Sequence, residues 1–120
     1  MKLYEIVLDN DIDKVKKALS NCDINEQEEE SGFTALHYCA QNQYVDIAKL
    51  LIKKGAKVDV KDSYGNTPLF KAVFFSKGNT EMIKLLLENG ANPDAKNNSG
   101  VSPKELAESI GSFDVTECFE

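Results

Sequence analysis

The chain of 120 residues carries 14 lysines and 20 acidic residues, contains no arginine, and has a net charge of −6. Its length suits a single domain, and its 42% hydrophobic and 28% charged residues are ordinary for a globular protein. An acidic chain without arginine is poorly suited to nucleic acid or to an anionic membrane surface, so the composition argues against both partners.

The apolar runs and the cysteines of the sequence indicate the cellular compartment of the protein. No run near the N-terminus is long enough for a secretory signal peptide, and no run elsewhere is long enough to span a membrane. Cys22, Cys39 and Cys118 are odd in number and lack CxxC spacing, which predicts neither a disulfide framework nor a zinc site. These features predict a cytoplasmic protein with reduced thiols.

Glycines mark an internal repeat. Gly32, Gly65 and Gly100 are separated by 33 and 35 residues, and a Thr or Ser follows two positions after each. Such a hydroxyl caps a helix N-terminus, and two of the three are followed by Pro, which suits the first helical turn. A regular period of this length is typical of a solenoid of stacked helical units.

The first unit, residues 1–31, is predicted to be an N-terminal cap whose second helix covers residues 11–19. The D-x-D-x-D pattern that begins at Asp9 is how a calcium loop starts, but Lys14 stands where that loop needs Gly and Ser20 where it needs an acid. We therefore expect the aspartates to begin a helix, where negative charge is favourable.

The first unit ends in an acidic run, EQEEE, at residues 26–30. The segment is one residue longer than the matching segments of later units, and such local breaks in a repeat are where specialisation is expected. Two interpretations remain open: a solvated loop, or a site where Glu28, Glu29 and Glu30 attract a basic partner.

The second unit, residues 32–64, holds the only histidine, His37, two positions before Cys39. The spacing argues against a nucleophile–base pair, since side chains at i and i+2 of a helix do not face each other. A second helix is predicted where apolar residues recur at Val45, Ala48 and Leu51, and Gly55 follows as its C-terminal cap.

The third unit, residues 65–99, repeats this pattern and ends its second helix at Gly90, but it carries a two-residue insertion between its helices. The insertion falls within residues 74–79, which include Phe74 and Phe75. This pair could anchor an interface, or one of its rings could complete the core between units. Residues 100–120 are predicted to be a C-terminal cap with a shortened second helix. Four units predict a minimal complete solenoid.

These motifs carry a resemblance to a known family. The segments TALHYC from Thr34 and TPLFKA from Thr67 resemble the T-P-L-H-x-A signature of ankyrin repeats. The segments KLLIKKGAKVD from Lys49 and KLLLENGANPD from Lys84 look like that family's second helix and following turn. The resemblance implies an all-α ankyrin-repeat solenoid with projecting hairpin or turn fingers, and it gives His37 a structural role that steadies the turn between units.

The resemblance also implies where a partner binds, namely on a concave face built from the fingers and the outer side of the first helices. Carried over position by position, and with the acidic run added, the candidate partner-binding residues are Glu28, Glu29, Glu30, Phe33, Gln41, Asn42, Lys61, Ser63, Tyr64, Asn66, Phe74, Phe75, Lys96 and Asn98.

No pattern of catalytic, metal-binding or cofactor-binding residues competes with this interpretation. The glycines are dispersed, no phosphate-binding loop occurs, and the carboxylates suggest no cleft. The sequence therefore predicts a non-enzymatic, monomeric protein-binding module. The narrower hypothesis is an inhibitor of a basic protein, such as an immunity protein that neutralises a toxin; the alternative is an adaptor, scaffold or host-directed effector that joins proteins without inhibition.

Overall fold

The computed structural model describes all residues, 1–120, and contains eight α-helices and no strand. A short 3₁₀ turn, Val7–Asp9, separates the first two helices. The predicted all-α class is confirmed. In chain order the helices are α1 (Leu3–Ile6), α2 (Ile12–Ala18), α3 (Ala35–Asn42), α4 (Val45–Lys53), α5 (Pro68–Phe74), α6 (Glu81–Glu88), α7 (Pro103–Ile110) and α8 (Phe113–Glu117).

Consecutive helices pack as pairs that stack in chain order. Helix α1 contacts α2, α3 contacts α4, α5 contacts α6, and α7 contacts α8. The first helices of neighbouring pairs, α3, α5 and α7, contact one another in one layer, while α2, α4 and α6 form a second layer. The result is a two-layer solenoid that measures 40 × 25 × 21 Å.

The core lies between the two layers and consists of 19 buried apolar residues. In α4 the predicted apolar stripe is confirmed, since Ala48 and Leu51 are buried together with Ile47. Because each helix pair covers the apolar face of the next, burial is continuous along the stack.

Side-chain caps begin the helices where the sequence predicts them. The hydroxyl of Thr34 accepts a hydrogen bond from the His37 amide, and Thr67 and Ser102 accept equivalent bonds in α5 and α7. Asp11 caps α2 by accepting from the Asp13 and Lys14 amides, which confirms a helix start at the D-x-D-x-D segment.

Three finger turns link the helix pairs, and each is closed by the same pair of backbone hydrogen bonds. In the second finger the Gly65 amide donates to Asp62 and the Asp62 amide donates to Asn66, both at 2.9 Å. In the first finger the Gly32 amide donates to the Glu28 carbonyl, four positions earlier, whereas the matching bond in the other two fingers spans three positions. The first finger is therefore one residue longer, as the acidic segment predicts. The fingers are turns and not strand-paired hairpins.

The fingers also bond to one another along the stack. The Ser63 amide donates to the Ser31 carbonyl at 2.8 Å, and the Asn98 amide donates to the Tyr64 carbonyl at 2.9 Å. These bonds join backbone groups 32 and 34 positions apart, so each finger holds the register of the next.

Candidate functional site

We call the finger face the surface made by the three finger turns, residues 28–33, 62–66 and 97–101, together with the last turn of α3 and the side of α5 that carries Lys71, Phe74 and Phe75. Phe33, Lys71, Phe74 and Phe75 lie near its centre, and Tyr64 projects from the second finger with 65% of its surface exposed. A surface with several exposed aromatic rings is suited to binding another macromolecule.

Phe74 and Phe75 lie on the surface and not in the core between units. Phe74 is 58% exposed and Phe75 is 37% exposed, and their rings meet edge to face with centroids 4.9 Å apart. Helix α5 ends at Phe74 and α6 begins only at Glu81, whereas two residues separate α3 from α4. The insertion therefore lets the chain turn beyond the two rings without burying them.

The connection after the rings is an ordered turn. Lys77 and Gly78 both adopt positive φ angles, 49° and 84°. The side chain of Ser76 is buried and accepts from the Gly78 amide, and the Asn79 amide donates to the Ser76 carbonyl at 2.8 Å. This turn holds the end of α5, and with it the position of both rings.

Lys71 contacts aromatic rings of two neighbouring repeat units, Phe33 of the second and Phe75 of the third. It was not among the candidate residues predicted from the sequence. Its ammonium Nζ lies 4.2 Å from the centroid of the Phe33 ring and 5.9 Å from that of Phe75. Phe33 in turn stacks on His37, with centroids 5.6 Å apart. The i, i+3, i+4 spacing of Lys71, Phe74 and Phe75 could have placed all three on one side of α5.

A shallow groove opens beside Lys71. It encloses about 140 Å³ and is lined by Asn66, Phe70, Lys71, Phe74 and Phe75. Three of the five lining residues are aromatic, and one of the other two is Lys71. The groove can therefore receive an apolar side chain that carries or adjoins a polar group.

Two buried side chains, His37 and Asp62, hold the backbone of Asn66, which lines the groove. His37 accepts from the Thr34 amide at Nδ1, at 3.1 Å, and its Nε2 lies 2.9 Å from the Asn66 carbonyl, to which it donates. Burial lowers the pKa of His37, so the imidazole is neutral at pH 7. Asp62 is buried, and its Oδ1 accepts from the Tyr64 and Asn66 amides, while its Oδ2 has no hydrogen-bond partner.

The three finger glutamates differ in their surroundings. Glu28 is partly buried, accepts from the Tyr38 hydroxyl at 2.8 Å, and also binds the Ser31 hydroxyl. Burial, and then the bond to Glu28, raise the pKa of Tyr38 to about 12. Glu29 and Glu30 are exposed and make no ion pair. Of the three glutamates, only Glu29 and Glu30 have side-chain carboxylates that are exposed and outside any ion pair.

Several other candidate residues connect fingers in the structure. The Ser63 hydroxyl donates to the Glu30 carbonyl at 2.7 Å, and the Asn98 side chain donates to the Ser63 carbonyl at 3.0 Å. Lys61 donates to the Lys96 carbonyl at 2.9 Å, and Lys96 pairs with Glu105 at 3.1 Å. These side chains therefore link neighbouring fingers, and all four residues are exposed.

The remaining candidates are Asn66, which also lines the groove, and Gln41 and Asn42 of α3. Asn66 is partly buried and its Oδ1 accepts from the Asn97 side chain at 2.9 Å. Gln41 is partly buried and Asn42 is exposed, both in the last turn of α3. They occupy the places in their unit that Phe74 and Phe75 occupy in the next.

Cys39, which lies two positions after His37 in the sequence, is fully buried. Burial raises the pKa of its thiol to about 12, far from a reactive thiolate. No group of three or more His, Cys, Asp or Glu side chains is placed to hold a metal ion. The longest helix, α4, has nine residues, and no helix has both the length and the apolarity to cross a membrane.

A stack of helix pairs, in which hydroxyls cap the first helices and finger turns link the pairs, defines a helical repeat protein. Residues 3–97 match the family model for ankyrin repeats, in three copies. The chain belongs to the ankyrin repeat family, whose repeats mediate protein–protein interaction.

Related proteins match only parts of the chain. An ankyrin repeat protein of Rickettsia bellii is 41% identical over 64 residues, which are 52% of this chain and 65% of that protein. An ankyrin repeat protein of Monkeypox virus is 39% identical over 70 residues, which are 58% of this chain and 10% of the relative. Mouse protein phosphatase 1 regulatory subunit 12A is 47% identical over 47 residues, which are 39% of this chain and 5% of that subunit.

Proposed function

We propose that the protein works without catalysis by binding a protein partner across the finger face. The observation that carries this proposal is the exposed pair Phe74 and Phe75, held at the end of α5 by an ordered insertion. Exposing two large apolar rings is unfavourable in water, so an ordered turn that keeps them exposed is expected to serve binding. Aromatic side chains are also frequent among the residues that dominate binding energy.

The narrower proposal is that this binding inhibits a basic protein, as an immunity protein would neutralise a toxin. Residues 1–31 contain four lysines and nine acids, a charge of −5, and Glu29 and Glu30 are free at the finger tip. An acidic edge next to an aromatic centre would attract a basic partner and then hold it. The cytoplasm is the proposed compartment, and the three free cysteines agree with it.

The alternative is an adaptor or scaffold, which would join proteins without blocking either. The phosphatase relative gives this alternative its support, since its name describes a regulatory subunit. An inhibitor should abolish an activity of the bound protein, whereas an adaptor should leave that activity intact and recruit a third component. An activity assay on the purified complex therefore separates the two.

Affinity purification with the purified chain as bait tests binding through the finger face. We expect the wild-type bait to recover a protein that the Phe74→Ala/Phe75→Ala bait loses, with recovery compared by mass spectrometry. Phe113→Ala is the matched control, because Phe113 is 77% exposed but lies in α8, outside the finger face. A partner lost equally from the Phe113→Ala bait, or retained by the double variant, would contradict the proposal.

The acidic finger makes a separate kinetic prediction. Changing Glu29 and Glu30 to Gln should lower the association rate of a basic partner several-fold at low salt and flatten its salt dependence, because long-range attraction is screened by ions. Stopped-flow mixing at several salt concentrations measures both. Glu28 stays unchanged, since it binds Tyr38. An association rate that is the same in the variant at low salt would rule out steering by this finger.

A further inference from the structure

Lys71 is a cation without an anionic partner at the centre of the finger face. The three ion pairs of the structure use Lys2, Lys14 and Lys96. Lys71 instead lies over the Phe33 ring and near Phe75, and it is partly buried. Burial lowers its pKa, and only the charge of Asp62 opposes that shift. Folding has thus removed water from this ammonium without supplying a carboxylate that contacts it.

The surroundings of Lys71 favour an acidic ligand. Residues 32–99 contain nine lysines and six acids, a charge of +3, between acidic ends. The groove beside the ammonium has aromatic walls from Phe70, Phe74 and Phe75. A carboxylate could form an ion pair with the Lys71 ammonium, and an apolar side chain next to that carboxylate could pack on the aromatic rings.

We propose that this groove recognises a segment of the protein partner in which an Asp or Glu adjoins an apolar side chain. The carboxylate pairs with Lys71 Nζ, and the apolar neighbour packs on Phe74 and Phe75. This inference rests on the proposed function and adds the chemistry of the partner's contact segment.

Two physical effects make Lys71 a better recognition group than the other lysines. Its ammonium is already partly desolvated, so forming an ion pair there removes less water than it would at a fully hydrated lysine. Contact with two rings also restricts its side chain before binding, which lowers the entropy lost on association. The acidic tip at Glu29 and Glu30 adds the opposite charge on the same face, which would orient a partner that carries both signs.

Selection from a phage-displayed library of random 12-residue peptides on the full chain tests the inference. We expect enriched peptides to share an Asp or Glu next to an apolar residue. Synthetic copies should bind Lys71→Met at least tenfold more weakly and Lys71→Arg within a few-fold of wild type, because guanidinium also pairs with carboxylate. Replacing the shared acidic residue of the peptide by its amide should weaken binding to the wild-type protein by a similar factor. The same replacement should weaken binding to Lys71→Met little further, because the ion pair is already absent there.

The control variant is Lys84→Met, since Lys84 is exposed on α6 in the other helix layer, and it should leave affinity unchanged. One outcome would overturn the carboxylate inference and leave the proposed function standing. In that outcome the enriched peptides share no acidic residue, bind Lys71→Met as well as they bind the wild type, and lose affinity for Phe74→Ala/Phe75→Ala. Peptides that tolerate all of these changes would bind elsewhere and would count against both.

Discussion

Gly65→Ala should lower the free energy of unfolding by about 2–5 kcal/mol, whereas Gly55→Ala should lower it by about 1–2 kcal/mol. Both glycines have positive φ angles, 79° and 97°, so both variants carry the left-handed strain of a residue with a Cβ. At Gly65 the new Cβ would lie 2.5 Å from Asn98 Oδ1 and 2.7 Å from the Asn98 backbone nitrogen. At Gly55 nothing lies within 4 Å.

The difference between these two variants measures how tightly the second and third fingers stack. The Asn98 amide is fixed by its bond to the Tyr64 carbonyl at 2.9 Å, so the backbone cannot withdraw without losing that bond. Urea denaturation followed by far-ultraviolet circular dichroism gives both free energies of unfolding. If both variants lost the same free energy of unfolding, the second and third fingers could separate without cost. That result would contradict the close stacking that the hydrogen bond between Asn98 and Tyr64 indicates.

His37→Phe should cost about 1–3 kcal/mol at pH 7 and should remove the pH dependence of stability between pH 7 and 5. The imidazole accepts from the buried Thr34 amide and donates to the Asn66 carbonyl, and phenylalanine can do neither. Phenylalanine occurs at the matching position of the next unit, as Phe70, although Phe70 is only partly buried whereas His37 is fully buried.

The sign of the pH effect follows from the lowered pKa of His37. Burial lowers this pKa in the folded protein, so the unfolded chain takes up the proton first, near pH 6.5. Stability from His37 is therefore complete above about pH 6.5 and declines as the pH falls toward the folded pKa, by at most about 1.4 kcal/mol per pH unit. Protonation of Nδ1 would also break its bond from the Thr34 amide.

Since the chain has one histidine, the wild-type slope in this range has a single expected source. Urea denaturation at intervals from pH 7 to 5 measures it, with His37→Phe as the flat reference. A slope that persists unchanged in the variant would show that other groups titrate on unfolding in this range. It would also remove the argument that a neutral His37 steadies the turn.

The fold could be predicted from the sequence because its signals are local. The hydroxyls of Thr34, Thr67 and Ser102 cap helices through bonds within three residues, and the recurring glycines mark turns that need positive φ. Each signal specifies the same structure at a fixed spacing, so the repeat reinforces what any one motif leaves open.

The candidate site was harder to predict, because its key contacts join different units. Lys71 meets Phe33 across 38 positions, and no local pattern specifies that distance. The exposure of Phe74 and Phe75 depends on how the longer connection to Glu81 folds. The acidic run likewise gave no sign that Glu28 is held by Tyr38 while Glu29 and Glu30 are free.

The dissociation constant of the recovered partner, measured together with the melting temperature of the bait, tests most directly whether the finger face is the binding surface. For Phe74→Ala/Phe75→Ala we expect at least about a 30-fold weaker affinity, near 2 kcal/mol, with a melting temperature close to that of the wild type. Phe113→Ala should match the wild type in both. An unchanged affinity in the folded double variant would contradict binding through the finger face, and a large fall in its melting temperature would contradict the placement of the two rings on the surface.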